Sequence, residues 1–241
     1  MHEQPVDPPA IVGRAVQILR EHFAVLFPIA LVFALVQAMV SYALQDSDAA
    51  ILASAVSLVT GTFFQGMVVE FVRDVEAGLP PGTEPSVGAL LRSVSPVVGP
   101  LILASLLAAV GVMVGLVLLI VPGLILLTVW AVVAPVLVVE RPGVLASFSR
   151  SQALVRGHGW PVFGTLLLLV LLVFAAAIVG GAVATGVGEV AGSFVLVVFG
   201  ALASTVLALG AATLYFRLLD ADGRPARPTV PDDDPRWTQQ G

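Results

Sequence analysis

Residues 136–164, VLVVERPGVLASFSRSQALVRGHGWPVFG, lie between two long apolar segments and carry Arg141, Arg150, Arg156 and His158. Val144, Leu145, Phe148 and Val155 recur among them at roughly helical spacing. Cations on one side and apolar residues on the other predict a helix lying in a membrane interface. The chain leaves the bilayer before this helix, and Trp160 and Pro161 open the next crossing. The same arrangement recurs twice upstream, so the reading extends to the whole chain.

Composition agrees. The chain is 58% hydrophobic and 11% charged, with a mean hydropathy of +1.03, whereas soluble domains are about a quarter charged. Cysteine is absent, which excludes disulfides, thiolate metal sites and thiol nucleophiles. All eleven basic residues are Arg. With the excess of Ala, Val, Gly and Leu, this resembles a high-GC bacterial composition, so the bacterial cytoplasmic membrane is the expected location. The net charge of −5 owes much to the tails, and in a membrane protein the local sign matters more. Membrane lipids are the expected partners, with no nucleic acid.

Residues 1–9 are acidic and Pro-rich, unlike a secretory signal, and are expected to be disordered. Ile11, Ala15, Ile18 and His22 then form an apolar stripe opposite Gly13, Arg14, Gln17 and Glu21, the first interfacial helix. A crossing needs about 20 residues, and six segments approach or exceed that: 23–44, 49–72, 98–121, 123–139, 160–185 and 190–216. The fourth is short and contains Pro135, and Pro122–Gly123 predicts a tight turn before it. With six crossings every Arg falls on one side, while the opposite loops hold Asp46, Asp48 and Glu189. The positive-inside rule then places both termini in the cytoplasm.

Sliding the sequence by 136 residues sets Arg14 on Arg150, Arg20 on Arg156, His22 on His158 and Phe27 on Phe163. A third copy at 86–100 has Val87, Leu90, Leu91 and Val94 at helical spacing, with Arg92 one place out of register. The expected fold is therefore an all-α integral membrane protein: six transmembrane helices in three parallel repeats, each a cytoplasmic interfacial amphipathic helix plus a transmembrane hairpin. The repeats occupy about 10–79, 85–139 and 143–218 within a membrane domain of 10–218. Parallel repeats are related by an axis along the membrane normal. Residues 219–241, acidic and Pro-rich, are expected to be a disordered cytoplasmic tail.

Small residues recur every four positions at Ala53, Ser57, Gly61 and Gln65, at Gly111 and Gly115, and at Gly200, Ser204, Ala208 and Ala212. That spacing predicts close helix packing. No crossing carries an ionisable residue near its middle, whereas proton and ion pathways are marked by such residues. Glu70 with Arg73 reads as an ion pair at a helix end rather than a site residue, and Glu140 lies beside Arg141 at the end of the fourth crossing. Gln37 and Gln65 are the strongly polar side chains at depth and the candidates for an intramembrane polar contact. No phosphate loop, dinucleotide fingerprint, nucleophile elbow or zinc motif occurs, and no cofactor is expected. The candidate lipid-headgroup contacts are Arg14, Arg20, His22, Arg92, Arg150, Arg156 and His158, since Arg binds phosphate bidentately and gains about 1 kcal/mol beside anionic lipid.

PVLVVERPGVLASFSRSQALVRGHGWPVFG (135–164) and GMVVEFVRDVEAGLPPGTEPSVGALLRSVSPVVGPL (66–101) resemble the glycerophosphoryl diester phosphodiesterase membrane-domain family and related bacterial membrane proteins. The likeness lies in an acidic residue closing a helix, then an interfacial helix, then an Arg-Gly-aromatic lead-in, and it covers about residues 10–218. In family members named as phosphodiesterases, hydrolysis belongs to a separate soluble barrel with His, Glu and metal-binding carboxylates. No such barrel is expected here, and no catalytic residue is carried over. The leading expectation, from the Arg-bearing interfacial helices, is a non-catalytic membrane protein binding lipid headgroups or partner proteins. A second reading is a permease for a lipid-like or small solute, which a cavity lined by Gln37, Gln65 or Thr128 would favour. An intramembrane enzyme ranks third, and a protein partner or homo-oligomer stays open.

The topology is testable on this Cys-free background. In intact cells a membrane-impermeant maleimide is expected to label Ser47→Cys and to spare Gln152→Cys; the reverse pattern would invert the orientation.

Overall fold

In the computed structural model, residues 6–43, 50–78, 88, 92 and 94–223 are described. The connection with Asp46 and Asp48, residues 79–87, 89–91 and 93 with Val87, Leu90 and Leu91 of the expected amphipathic stretch, residues 1–5 and the tail from 224 lie outside them. The structure is about nine-tenths helical, with no strand among the described residues. Among the described residues five segments are long and apolar enough to cross a membrane: Phe23–Ala43, Ser95–Leu118, Ile120–Val139, Gly159–Gly186 and Glu189–Ala221. The most apolar of them, Gly159–Gly186, has a mean hydropathy of 3.0 but only 17% of its most apolar window buried. Its exposed surface suits lipid rather than water.

Helix α1 (Pro8–Glu21) starts where Pro8 and Pro9 fit a first turn that needs no N–H partner. It buries Ile11, Ala15, Ile18 and Leu19, largely the stripe read from the sequence. The helix therefore takes in residues 8 and 9, which the sequence reading assigned to a disordered terminus. The chain breaks at His22 and continues as α2 (Phe23–Ala43) and α3 (Ala50–Glu76). After a short 3₁₀ turn, Ser95–Val97, come α4 (Val98–Leu118), α5 (Ile120–Val129) and α6 (Val133–Val139). Then follow α7 (Val144–Val155), α8 (Gly159–Gly186) and α9 (Glu189–Ala221), the last continuing past residue 218.

The reversal between α4 and α5 falls at the extended residue Leu119, three positions before the expected Pro-Gly turn. Pro122 instead occupies the first turn of α5, where its missing N–H goes unnoticed. Gly123 serves packing: the Cα of Gly123 lies 3.0 Å from where a Gly115 side chain would start, and a methyl at Gly123 would overlap Leu116. Gly111 likewise lies beneath the Trp130 ring. The small-residue reading holds for this hairpin.

The expected fourth crossing is two helices with a break at Trp130–Val132. Pro135 explains the break, because its ring cannot coexist with an unbroken helix around the carbonyl of Ala131. The hydroxyl of Ser151, on α7, donates to the carbonyl of Val129 at 2.7 Å. Helix α7 thus stitches the kink. To do so α7 turns Ser147, Ser151, Leu154 and Val155 inward, and Leu145, read as part of the apolar face, is 78% exposed.

Helix α9 packs against α8, α2, α3 and α1, and α3 also contacts α4 and α6. Burial concentrates at the ends of α3, α6 and α9 near the arginines: Met67–Val72, Val136–Val138 and Ala212–Phe216 are buried. The opposite end is open, and residues 116–121 are exposed. Helix α1 packs chiefly on α8 and α9, and α7 on α4 to α6.

Gly123→Ala is expected to lower unfolding stability by about 1–3 kcal/mol through overpacking. Gly61→Ala, where an added Cβ meets nothing within 4 Å, should be neutral or stabilising by up to about 1 kcal/mol from helix propensity. Unfolding in one detergent compares them, and equal effects would contradict the close α4–α5 approach.

Candidate functional site

Charged side chains gather where α3, α6 and α9 end. Glu70, 1% exposed, pairs with Arg73 one turn along α3 and with Arg141, whose Nη2 is 3.7 Å from Oε1. Arg141 sits in the reversal between α6 and α7 with a left-handed backbone, φ +52°. Its neighbour Glu140 accepts hydrogen bonds from Arg150 Nε at 3.2 and 3.0 Å and from the Tyr215 hydroxyl at 3.0 Å. Arg150 also reaches Asp222 at 3.4 Å. Burial acts to lower the Arg150 pKa, but hydrogen bonding and charge from Glu140, then Asp222, outweigh it and raise it. Arg14 of α1 meets Glu76 at 3.3 Å. Arg14 and Arg150, both read as headgroup contacts, are therefore engaged by carboxylates of the chain itself.

Arg156 differs. Among the described residues it has no carboxylate partner, and it lies at the rim of a groove of about 500 Å³ between α5, α7 and α8. Leu124, Ile125 and Phe163 give the groove apolar walls; Gln152 and Trp160 join Arg156 in lining it. Trp160 is 84% exposed. Thr128 belongs to this groove, but its hydroxyl donates to the Leu124 carbonyl at 2.8 Å.

Gln37 and Gln65 come together in a second cavity, about 600 Å³, bounded by α2, α3 and α9. Gly61 and Gly200 also line it, and a Cβ on either would meet nothing within 4 Å. At these two positions the small residues open space instead of closing a helix contact.

The remaining candidates are dispersed. Arg20 is exposed, and Arg92 Nε donates to the Gly88 carbonyl at 3.1 Å. His22 and His158 each precede a membrane-length helix, with nearly equal backbone angles: φ −114°, ψ 25° and φ −116°, ψ 18°. The carbonyl of each accepts the first bond of that helix, from Leu26 and Val162. The His22 ring meets Phe71 edge-on at 5.2 Å, whereas His158 Nδ1 is buried without a hydrogen-bond partner. Sequence reasoning missed Glu76, Tyr215, Ser151 and Asp222. Tyr215 alone had a signal, a phenol beside Arg217 at the end of an apolar run.

Fold and sites together define an all-helical protein with apolar helices of membrane-crossing length and an ion-paired layer at one end. Among the described residues no three His, Cys, Asp or Glu side chains are grouped to hold a metal ion. Compared with known proteins, the chain matches no family model, no curated protein and no solved structure.

Proposed function

We propose that this chain is a non-catalytic, six-span protein of the bacterial cytoplasmic membrane that binds anionic phospholipid through its interfacial helices. One observation carries the reading: Arg156, without a carboxylate partner among the described residues, stands over an apolar groove with Trp160 beside it. A phosphate on the guanidinium would leave an acyl chain lying along α5 and α8, and Trp is at home at headgroup level. Arg14 and Arg150 are held by carboxylates of the chain itself, and of the candidate arginines Arg156 is the one that lines an apolar groove, which favours that groove as the headgroup site.

Several features support six crossings in repeated units. Ion pairs bring residues 70, 141 and 150 to one end, as two-helix returns require. At the 136-residue offset, α1 and α7 begin at equivalent residues, and their buried positions coincide: Ile11 with Ser147, Ala15 with Ser151, Ile18 with Leu154, Leu19 with Val155. Arg14 and Arg150 each reach a carboxylate where their own hairpin ends, Glu76 and Asp222. Each helix also packs on the hairpin of another unit. The likeness to the phosphodiesterase membrane-domain family fits this architecture. A second reading, a permease for a lipid-like or small solute, draws on the cavity holding Gln37 and Gln65.

Native mass spectrometry with phosphatidylglycerol tests the lipid site. Arg156→Gln is expected to weaken retention about fivefold, the equivalent of roughly 1 kcal/mol for one interfacial cation. Retention equal to the parent's would contradict the proposal.

A further inference from the structure

The cavity between α2, α3 and α9 is a long slot. Gln65 lies five residues before Glu70, so at 1.5 Å per residue it is about 7 Å from the ion-paired layer. Ser204 lies eleven residues before Tyr215, about 16 Å away, and Gln37 fifteen residues beyond His22, about 22 Å. Toward the layer the lining residues Ala30, Phe64 and Ala208 are buried and Gln65 is half-buried, while Gln37, Gly200 and Ser204 farther out are exposed. The slot is thus shut toward the arginines and widens toward the other end.

Its chemistry is mixed and uncharged. No ionisable side chain among the described residues lines it. Among the described residues, the amides of Gln37 and Gln65 have no hydrogen-bond partner. An acyl chain there would leave both amides unmatched, at several kcal/mol each in a hydrocarbon setting. Water or a polar solute leaves none. An amide both donates and accepts, hydroxyls have the same dual capacity, and Phe33 and Phe64 supply flat apolar faces opposite. A charged solute would meet no counter-charge.

We propose that this slot is a hydrated vestibule, open at the end away from the ion-paired layer, that binds a small uncharged polyol along its row of amide and hydroxyl groups. The Arg156 groove plays no part in it, and the proposal stands or falls independently of the lipid site.

The absence of Cys allows a direct test in lipid nanodiscs, where both faces meet solution. A small hydrophilic methanethiosulfonate should modify Ser204→Cys and Gln65→Cys but not Val170→Cys, which lies on the exposed apolar side of α8. Excess glycerol should slow modification of Ser204→Cys at least twofold, glycerate should not, and a Gln65→Leu background should abolish the protection. Gly200→Leu, placed in open space where it need not disturb folding, should shield Gln65→Cys. Absence of modification at both slot positions would show the slot dry and overturn the proposal. Equal effects of glycerol and glycerate, or none from either, would overturn the ligand class.

Discussion

A carboxylate removed from water must be matched by positive charge, since leaving it alone costs far more than any single contact returns. Glu70 meets that requirement with two guanidiniums, Arg73 from its own helix and Arg141 from the chain beyond α6. The second fixes the end of α3 beside the end of α6. Next to it Glu140 takes the Tyr215 hydroxyl and Arg150, which brings in α9 and α7. The bundle is therefore tied at one end, its buried core sits against the tie, and the helices separate toward the other. The cavity between α2, α3 and α9 follows from that separation.

The same layer accounts for local strain. A non-glycine residue with a left-handed backbone costs about 1–3 kcal/mol, and Arg141 adopts one where the chain must reverse within Glu140–Gly143. That reversal lets Arg141 face Glu70 while Arg150, ten residues on, reaches back to Glu140. Helix α7 is more than a surface feature, because Ser151 satisfies the Val129 carbonyl at the break in the fourth apolar segment. Serine at that position serves the protein interior.

Much of the helical layout was legible in the sequence, because apolar run length and the placement of arginines are one-dimensional signals. The expected helix-end pair Glu70–Arg73 is present, and Glu140 and Arg141 do close α6. Their decisive partners were not legible: that Glu140 answers Arg150 and Tyr215, while Arg141 answers Glu70, depends on how the hairpins dock. The small-residue stripes show the same limit. Gly111 and Gly115 permit close contact, whereas Gly61 and Gly200, equally spaced and equally small, border a void. Spacing records that a helix can be approached, and the neighbour's position decides whether it is. On α7 the expected Val144, Phe148 and Val155 do pack on the core, but Leu145 is exposed and Ser147 and Ser151, which bond to carbonyls, are buried in its place.

The tie between α3 and α6 is measured most directly by a double-mutant cycle on Glu70→Gln and Arg141→Gln, with unfolding free energies determined in one lipid-detergent mixture. Contact across the layer predicts non-additive losses, with a coupling energy of about 0.5–3 kcal/mol. Strictly additive losses would mean that the two charges do not meet, and the bundle would then lack the fastening on which the architecture described above depends.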